Sequence, residues 1–382
     1  MDIKLTQDID TVPADEWNQI TGQNDPFLQH AFLLALEKSL SVCRKTGWQP
    51  HHLLVYSDQQ LIAVMPLYLK FHSQGEYVFD HLWANTYHNH QHLYYPKWLT
   101  SIPFTPCQGH RIMIKNGHDR LSITRVIISY LKNHAENHQV SSWHCLFPLP
   151  EQAEQLQSLG LSIRLGFQFH WFNNNYCDFN DFLATLRAKK RKQIKRERRL
   201  IAEQGIQMKT VKGHAITEQQ WHYFYQFYQL TYLKKNSLPY LTFEFFKQIA
   251  ETMPQQLLLI IAECNQSPVA MALLFTGNDT LYGRYWGCLD EFSGLHFETC
   301  YYQGIDYCIK HNLNRFDAGA QGEHKIVRGF TPITTYSAHW IQEPQFSKAI
   351  HRFIQHEKEN HSTYKKYYDA RLPFKKKPLA PT

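Results

Sequence analysis

The chain carries none of the short signatures that mark several large enzyme classes: no G-x-S-x-G elbow, no P-loop, no Rossmann glycine fingerprint and no H-E-x-x-H helix. Each of these motifs does a mechanical job, so their absence argues against a serine hydrolase, a P-loop NTPase, a dinucleotide oxidoreductase and a zincin. Cysteine is sparse: eight residues without any C-x-x-C spacing read as reduced, mostly buried thiols rather than a disulfide frame or a zinc site. No apolar run is long enough to span a bilayer, and the first residues lack the cationic and apolar regions of a secretory signal, so a cytoplasmic protein is expected. His88, His90 and His92 alternate as if on one strand face, but their polar segment offers no carboxylate at ligand spacing, and no metal site is expected.

What is present is core material. With 382 residues, 43% of them hydrophobic and 14% aromatic, the chain exceeds one comfortable core and predicts two domains. A hairpin is expected over 53–69, two apolar runs about a polar turn, followed by a strand at Gly75-Glu-Tyr-Val-Phe-Asp80. The pattern returns over 258–275, followed by Leu281-Tyr-Gly-Arg-Tyr-Trp-Gly287. Setting Ile62-Ala63 against Val269-Ala270 keeps both turns in step, which suggests an internal duplication. Each half then continues with a helix and a strand, 121–134 with 142–147 and 297–311 with 315–318. The expected organisation is an N-terminal domain over 1–172, a C-terminal domain over 173–343 containing a basic helix at 181–204, a helix at 344–370 packed back on the body, and a flexible tail at 371–382. The fold class is α/β (α+β), each domain a mixed twisted sheet flanked by helices.

Two segments concentrate charge. Residues 186–200 hold nine Lys or Arg and one Glu without a glycine or proline, which predicts a helix whose cations Lys189, Lys190, Arg191, Lys192, Lys195, Arg196, Arg198 and Arg199 face several ways. Lys190 and Glu197 fall on its apolar stripe of Leu183, Leu186, Ile194 and Ile201. Either a phosphate-bearing partner or a solvated basic face accounts for such a density. The second segment, Gly319-Ala-Gln-Gly-Glu-His-Lys-Ile-Val-Arg-Gly-Phe330, follows a short strand and combines three glycines with ionisable groups. Lys325 and Arg328 could neutralise an anion, and Glu323 or His324 could move a proton. The two glycines of 281–287 mark a bulge or a close backbone approach. Glu298 sits in a first helical turn, where the helix dipole favours an anion, and is also a candidate proton acceptor.

The strings Gly75-Glu-Tyr-Val-Phe-Asp80, Tyr94-Tyr-Pro-Lys97, Pro103-Phe-Thr-Pro106, Leu281-Tyr-Gly-Arg-Tyr-Trp-Gly287, Leu295-His-Phe-Glu298 and the loop from Gly319 resemble a bacterial family of predicted N-acyltransferases, FemAB-like, within the GNAT superfamily. The resemblance runs from about Pro26 to the last helix and implies two tandem GNAT-like domains. The related Fem-type enzymes move an amino acid from aminoacyl-tRNA to an amine of a peptidoglycan precursor, and they carry a basic helix leading into a strand, as Lys189 to Arg199 leads to Ile206. The resemblance therefore implies transfer of an acyl or aminoacyl group to an amine, with acyl-CoA or aminoacyl-tRNA as co-substrate and no tightly bound cofactor. A typical CoA-binding GNAT loop is replaced here by Cys288-Leu-Asp-Glu-Phe-Ser-Gly294, with one glycine and two acids. On this reading Glu323, then Glu298, are candidate bases, assisted by His324 and Tyr285. Lys325, Arg328, Arg284, His296, Gly319, Gln321 and Gly322 are candidate binding positions. Two rival readings stay open: a CoA-dependent N-acetyltransferase of a small molecule, and a non-catalytic RNA- or precursor-binding protein.

Overall fold

A computed structural model describes residues 1–290, 292–320 and 322–375. In chain order the first strands and helices are β1 (Asp2–Thr6), α1 (Ala14–Thr21), α2 (His30–Lys38), β2 (Trp48–Pro50), β3 (His52–Ser57), β4 (Gln60–Met65), β5 (Tyr68–Lys70), α3 (His81–Asn89), β6 (Lys97–Thr100) and β7 (Met113–Ile114). Then come α4 (Arg120–His138), β8 (Ser142–Leu146), α5 (Pro150–Ser158), β9 (Ser162–Phe172), α6 (Phe179–Thr185), α7 (Ala188–Glu203), β10 (Ile206–Lys212), α8 (Glu218–Leu233) and α9 (Phe243–Thr252). The rest are β11 (Leu257–Cys264), β12 (Ser267–Thr276), β13 (Thr280–Cys288), α10 (Leu295–Phe297), α11 (Gln303–Lys310), β14 (Arg315–Asp317), β15 (Thr331–Ile341) and α12 (Pro344–Ala370). No described helix is long and apolar enough to cross a membrane.

The chain divides into two compact units, each discontinuous in sequence. Unit 1 comprises Met1–Phe167, Tyr240–Ile249 and Thr334–Thr363; unit 2 comprises Gln168–Pro239, Ala250–Ile333 and the described residues from Tyr364 on. In unit 1, β1, β3, β4 and β7 form an antiparallel sheet in that order. A second row runs β2-β5-β6-β8-β15, with β6 and β8 parallel. Ile123, Ile127 and Leu131 of α4 pack with Leu53 and Met65 of the first sheet and Trp98 and Trp143 of the second. The helix can start where it does because Asp119 accepts the Leu121 N–H.

In unit 2 the order is β10-β11-β12-β13-β14 and then the His170–Phe172 end of β9, with only β13 and β14 parallel. The two hairpins expected from the sequence are both present. Each closes on two successive left-handed residues, Asp58 and Gln59 (φ 50° and 65°) and Asn265 and Gln266 (φ 49° and 62°), the backbone that matches strand twist in a two-residue loop.

The echo breaks at the strand expected after the first hairpin, although the helix and strand expected later in each half are present, as α4 with β8 and α11 with β14. Gly75 to Asp80 is not a strand but an irregular segment leading into α3, and it inverts the usual pattern by burying Glu76 and Asp80 while exposing Phe79. What draws the carboxylates inward is Lys97, whose ammonium is buried and lies 2.8 Å from Glu76 Oε2, 2.5 Å from Asp80 Oδ2 and 2.8 Å from Ser73 Oγ. A desolvated ammonium costs several kcal/mol unless such partners surround it, on the order of 3–5 kcal/mol if one is removed. Tyr94 adds its hydroxyl to Asp80 at 2.6 Å. His88, His90 and His92 lie at the end of α3 and just beyond it, exposed rather than on a strand face.

Two further departures concern the cysteines and the tail. Of the eight free cysteines, Cys107, Cys145 and Cys308 are buried, four are half-buried and Cys177 is exposed. Of the expected tail, 376–382 lies outside the described residues, and 371–375 is not free. The Arg187 N–H donates to the Pro373 carbonyl at 2.9 Å and the Lys375 N–H to that of Thr185 at 2.9 Å, so 371–375 is bound to unit 2. Phe346, Ile350 and Ile354 of α12 pack with Trp83, Tyr87 and Tyr94 in unit 1, while Tyr368 packs against Phe169 in unit 2.

Candidate active site

In unit 2, β13 carries a bulge: Leu273 pairs with Tyr285 and Leu274 with Gly283, leaving Arg284 as the extra residue. Arg284 turns to Asp317 at the end of β14, with Nη2 2.8 Å from Oδ2. Asp317 also accepts the Gly319 N–H at 2.9 Å. Burial would raise the Asp317 carboxyl, but Arg284, His170 and these hydrogen bonds together hold it well below the usual carboxylate range. Gly287 is a glycine because α8 lies against it, a Cβ there falling 2.1 Å from the Phe227 carbonyl carbon and oxygen. The close approach expected at β13 is therefore made by the protein's own helix.

Past β13 the chain enters α10 and then a π-helical turn, Glu298–Tyr302, before α11. Such a turn widens a helix by one residue and recurs at functional sites. Glu298 is 3% exposed. Its Oε1 accepts from Gln303 at 2.7 Å and from Arg198 Nη2 at 3.1 Å, whereas among the described residues Oε2 has no partner, nor has the buried Thr299 hydroxyl. Burial raises the Glu298 carboxyl, and Arg198 only partly opposes it.

The loop after β14 becomes a single 3-10 helix, Glu323–Arg328, and disposes of its charges unequally. Lys325 is buried and its ammonium donates to the carbonyls of Ala318 (2.9 Å) and Gly319 (2.8 Å), so it clasps its own loop. Burial lowers it to about 8 despite Asp317. Arg328, 4% exposed, donates to the Tyr302 hydroxyl at 3.0 Å and to both oxygens of Glu197 at 3.0 and 3.1 Å, over the face of Phe297. Glu323 points outward, 3.9 Å from Arg371, and accepts from the Tyr368 hydroxyl at 3.3 Å. Neither expected anion-binding cation is thus exposed, and the first-named base is a surface ion pair. Gln321 lies outside the described residues.

His324 does face solvent. Its Nε2 is 2.8 Å from the Tyr301 hydroxyl, and its ring lies among those of Phe297 (5.9 Å between centroids), Tyr301 (5.7 Å) and His296 (6.3 Å). Trp286 stands edge-on to His296 at 5.2 Å. Gly322 leaves room for this placement, since a Cβ there would lie 2.6 Å from the His324 ring, and its φ of +109° suits glycine. Burial and then the charges of Lys325 and Arg328 lower His324, while His296 falls to about 4 for the same first reason. Both imidazoles are therefore neutral at pH 7. Tyr285 stays in the core, against Tyr228 and Phe275.

The basic helix α7 is two-sided. Lys189, Lys192, Lys195, Arg196 and Arg199 are exposed, with Arg199 paired to Glu203 at 3.2 Å, while Lys190 and Arg191 are half-buried. Arg198 instead turns inward to Glu298 and to Asp306, at 2.8 Å. The stripe charge Glu197 has its explanation in Arg328 and Tyr302. A carboxylate placed on an apolar stripe needs a buried donor, and that signal could have exposed the pair in advance. Tyr301, Tyr302 and Asp306 carried no such mark.

A family model described as FemAB-like, peptidoglycan biosynthesis/recognition, matches residues 8–376. FemX is similar in structure, at 11% identity over 92% of this chain and 100% of that one, with a TM-score of 0.54. So is the C-terminal domain of a putative lysylphosphatidylglycerol synthetase from Agrobacterium fabrum, at 9% identity over 88% and 93% and a TM-score of 0.54. A conserved protein of unknown function from Bacteroides thetaiotaomicron matches at 9% identity over 88% and 99%, with a TM-score of 0.51. No curated protein matches the sequence.

Proposed function

The chain belongs to the FemAB-like family and is a transferase of acyl or aminoacyl groups; on that premise we propose that the amine acceptor, a peptidoglycan precursor, is deprotonated by His324. The observation that carries this is the His324–Tyr301 hydrogen bond in a cluster whose exposed member is His324. With Nε2–H donating to Tyr301, Nδ1 is left to accept the proton as the amine nitrogen bonds to the donor carbonyl carbon. The bond from that carbon to the thioester sulfur or ester oxygen then breaks, and the leaving atom takes up a proton. Glu298, buried and paired to Arg198, is the second candidate base.

The donor is acyl-CoA or aminoacyl-tRNA, with the exposed cations of α7 as the phosphate contact. Lys325, Arg328 and Arg198 are excluded from that role by their internal partners.

Purified protein would be given each donor with an amine-bearing precursor, and the acceptor's mass gain followed. His324→Gln is expected to lower the rate by about 10²-fold or more. Because the imidazole is lowered, it stays neutral as pH falls, so the wild-type rate should hold through neutrality and drop only below the ordinary histidine range. Unchanged turnover in His324→Gln would sink the assignment, and no turnover with any donor would favour a binding protein.

A further inference from the structure

His324 rides on a segment that does not place itself. The 3-10 helix Glu323–Arg328 has poor hydrogen-bond geometry of its own, and it is bounded by Gly322 and Gly329 at φ of +109° and +93°. Of its two inward cations, Lys325 ties it to the carbonyls of Ala318 and Gly319 in the same loop, whereas Arg328 reaches another element. Arg328 Nη2 lies 3.0 and 3.1 Å from the two oxygens of Glu197 on α7, while Nη1 donates to the His324 carbonyl at 2.9 Å. One guanidinium thus joins the backbone of the candidate base to α7.

Glu197 makes a second connection. It accepts from the hydroxyl of Tyr302, in the π-helical turn, and the neighbouring Tyr301 is the residue whose hydroxyl lies 2.8 Å from His324 Nε2. The carboxylate therefore holds His324 from two sides, its main chain through Arg328 and its ring through the turn that carries Tyr301. Helix α7 can serve as the fixed frame because Ile194 and Ile201, one turn before and one turn after Glu197, are each buried in a hydrophobic cluster. Stability alone does not call for this arrangement, since a buried ion pair is often no more stabilising than apolar side chains of the same volume. An apolar pair, however, has no directional bonds with which to fix three segments at once.

We propose that Glu197 is a positioning residue: through Arg328 and Tyr302 it sets where His324 stands relative to the reacting amine, from the helix whose other face presents the exposed cations. This role rests on His324 as the base, but where the ring stands can be read without turnover.

The test uses the full chain as Glu197→Gln, as Arg328→Met and as Glu197→Gln with Arg328→Met, beside His324→Gln, all assayed below their melting temperatures. An amide offers one acceptor oxygen and no charge, so Glu197→Gln loosens both connections. The double variant leaves no buried charge unpaired and still offers Tyr302 an acceptor, so it should melt close to wild type and well above Arg328→Met. Its kcat should nevertheless stay about tenfold or more below wild type, with KM for donor and acceptor within about twofold, because the base is misplaced while the exposed cations of α7 are untouched. The His324 Cε1–H resonance, identified by its absence from His324→Gln and sensitive to the nearby rings of Phe297 and Tyr301, should move in both Glu197 variants. Recovery of kcat together with melting temperature in the double variant would show a merely structural pair and overturn the proposal, as would a His324 resonance that does not move, or a loss confined to KM. Wild-type turnover in His324→Gln would overturn the choice of base instead, and the resonance would still decide whether Glu197 places that residue.

Discussion

Arg328 and Glu197 hold each other in place, and neither is stable in its position alone. Arg328 is 4% exposed and spends its guanidinium on Glu197, Tyr302 and the His324 carbonyl. Arg328→Met fills much of the same space but leaves the Glu197 carboxylate short of its cation, an expected loss of about 3 kcal/mol measured as a lower urea midpoint at constant m-value. Arg328→Lys should cost less, since charge remains while the two-pronged contact is lost. An unchanged midpoint in Arg328→Met would show that the pair contributes nothing to stability. The same residue shows why the site was only partly legible. Sequence displays a cation in a glycine-rich loop, but the group that neutralises it lies 131 positions earlier on another helix. His324 was recognisable as a proton carrier, yet the tyrosine that orients it is 23 positions away.

Elements declare themselves when local chemistry decides them. The hairpins β3–β4 and β11–β12 were readable because a polar pair that tolerates left-handed backbone separates two apolar runs. The segment from Gly75 to Asp80 was not, because Tyr77, Val78 and Phe79 imitate a strand while Lys97, far along the chain, claims the two acids. The glycines of β13 make a sharper test of element packing. Gly287→Ala sets a methyl group 2.1 Å from the Phe227 carbonyl on α8, and backbone cannot rotate away as a side chain can. Separation of α8 from β13 should cost about 3 kcal/mol and disturb the Trp286–His296 contact, so both stability and transfer should fall. Gly283→Ala meets only the edge of the Phe316 ring at 3.3 Å and should cost about 1 kcal/mol or less. Equal melting temperatures for the two variants would contradict this reading of the β13 glycines.

At the scale of the whole molecule, the two units bury charge in opposite ways. Unit 2 ties two of its buried cations to single carboxylates, in Arg284–Asp317 and Arg328–Glu197. Unit 1 holds two lysines and two carboxylates together, and Lys70 is only 4.0 Å from Glu76 with no closer carboxylate. Burial lowers Lys70 to about 7 and raises Glu76 to about 7, each against the pull of its neighbours. The signs follow from proton counting. Folded Glu76 keeps a proton that the unfolded chain has released between the ordinary glutamate value of 4.5 and about 7, so its stabilising contribution exists at low pH and is lost as pH rises through 7. Folded Lys70 has released a proton that the unfolded chain keeps between about 7 and the ordinary lysine value of 10.5, so its contribution exists at high pH and is lost as pH falls through 7. Both groups therefore withdraw stability around neutrality. Urea unfolding of the wild type and of Lys70→Met with Glu76→Gln, compared from about pH 5 to about pH 9, should give a difference in stability that favours the double variant most near pH 7. Its depth should be on the order of 2–3 kcal/mol, and a difference that does not vary with pH would mean that neither group changes its protonation in this range when the protein is folded.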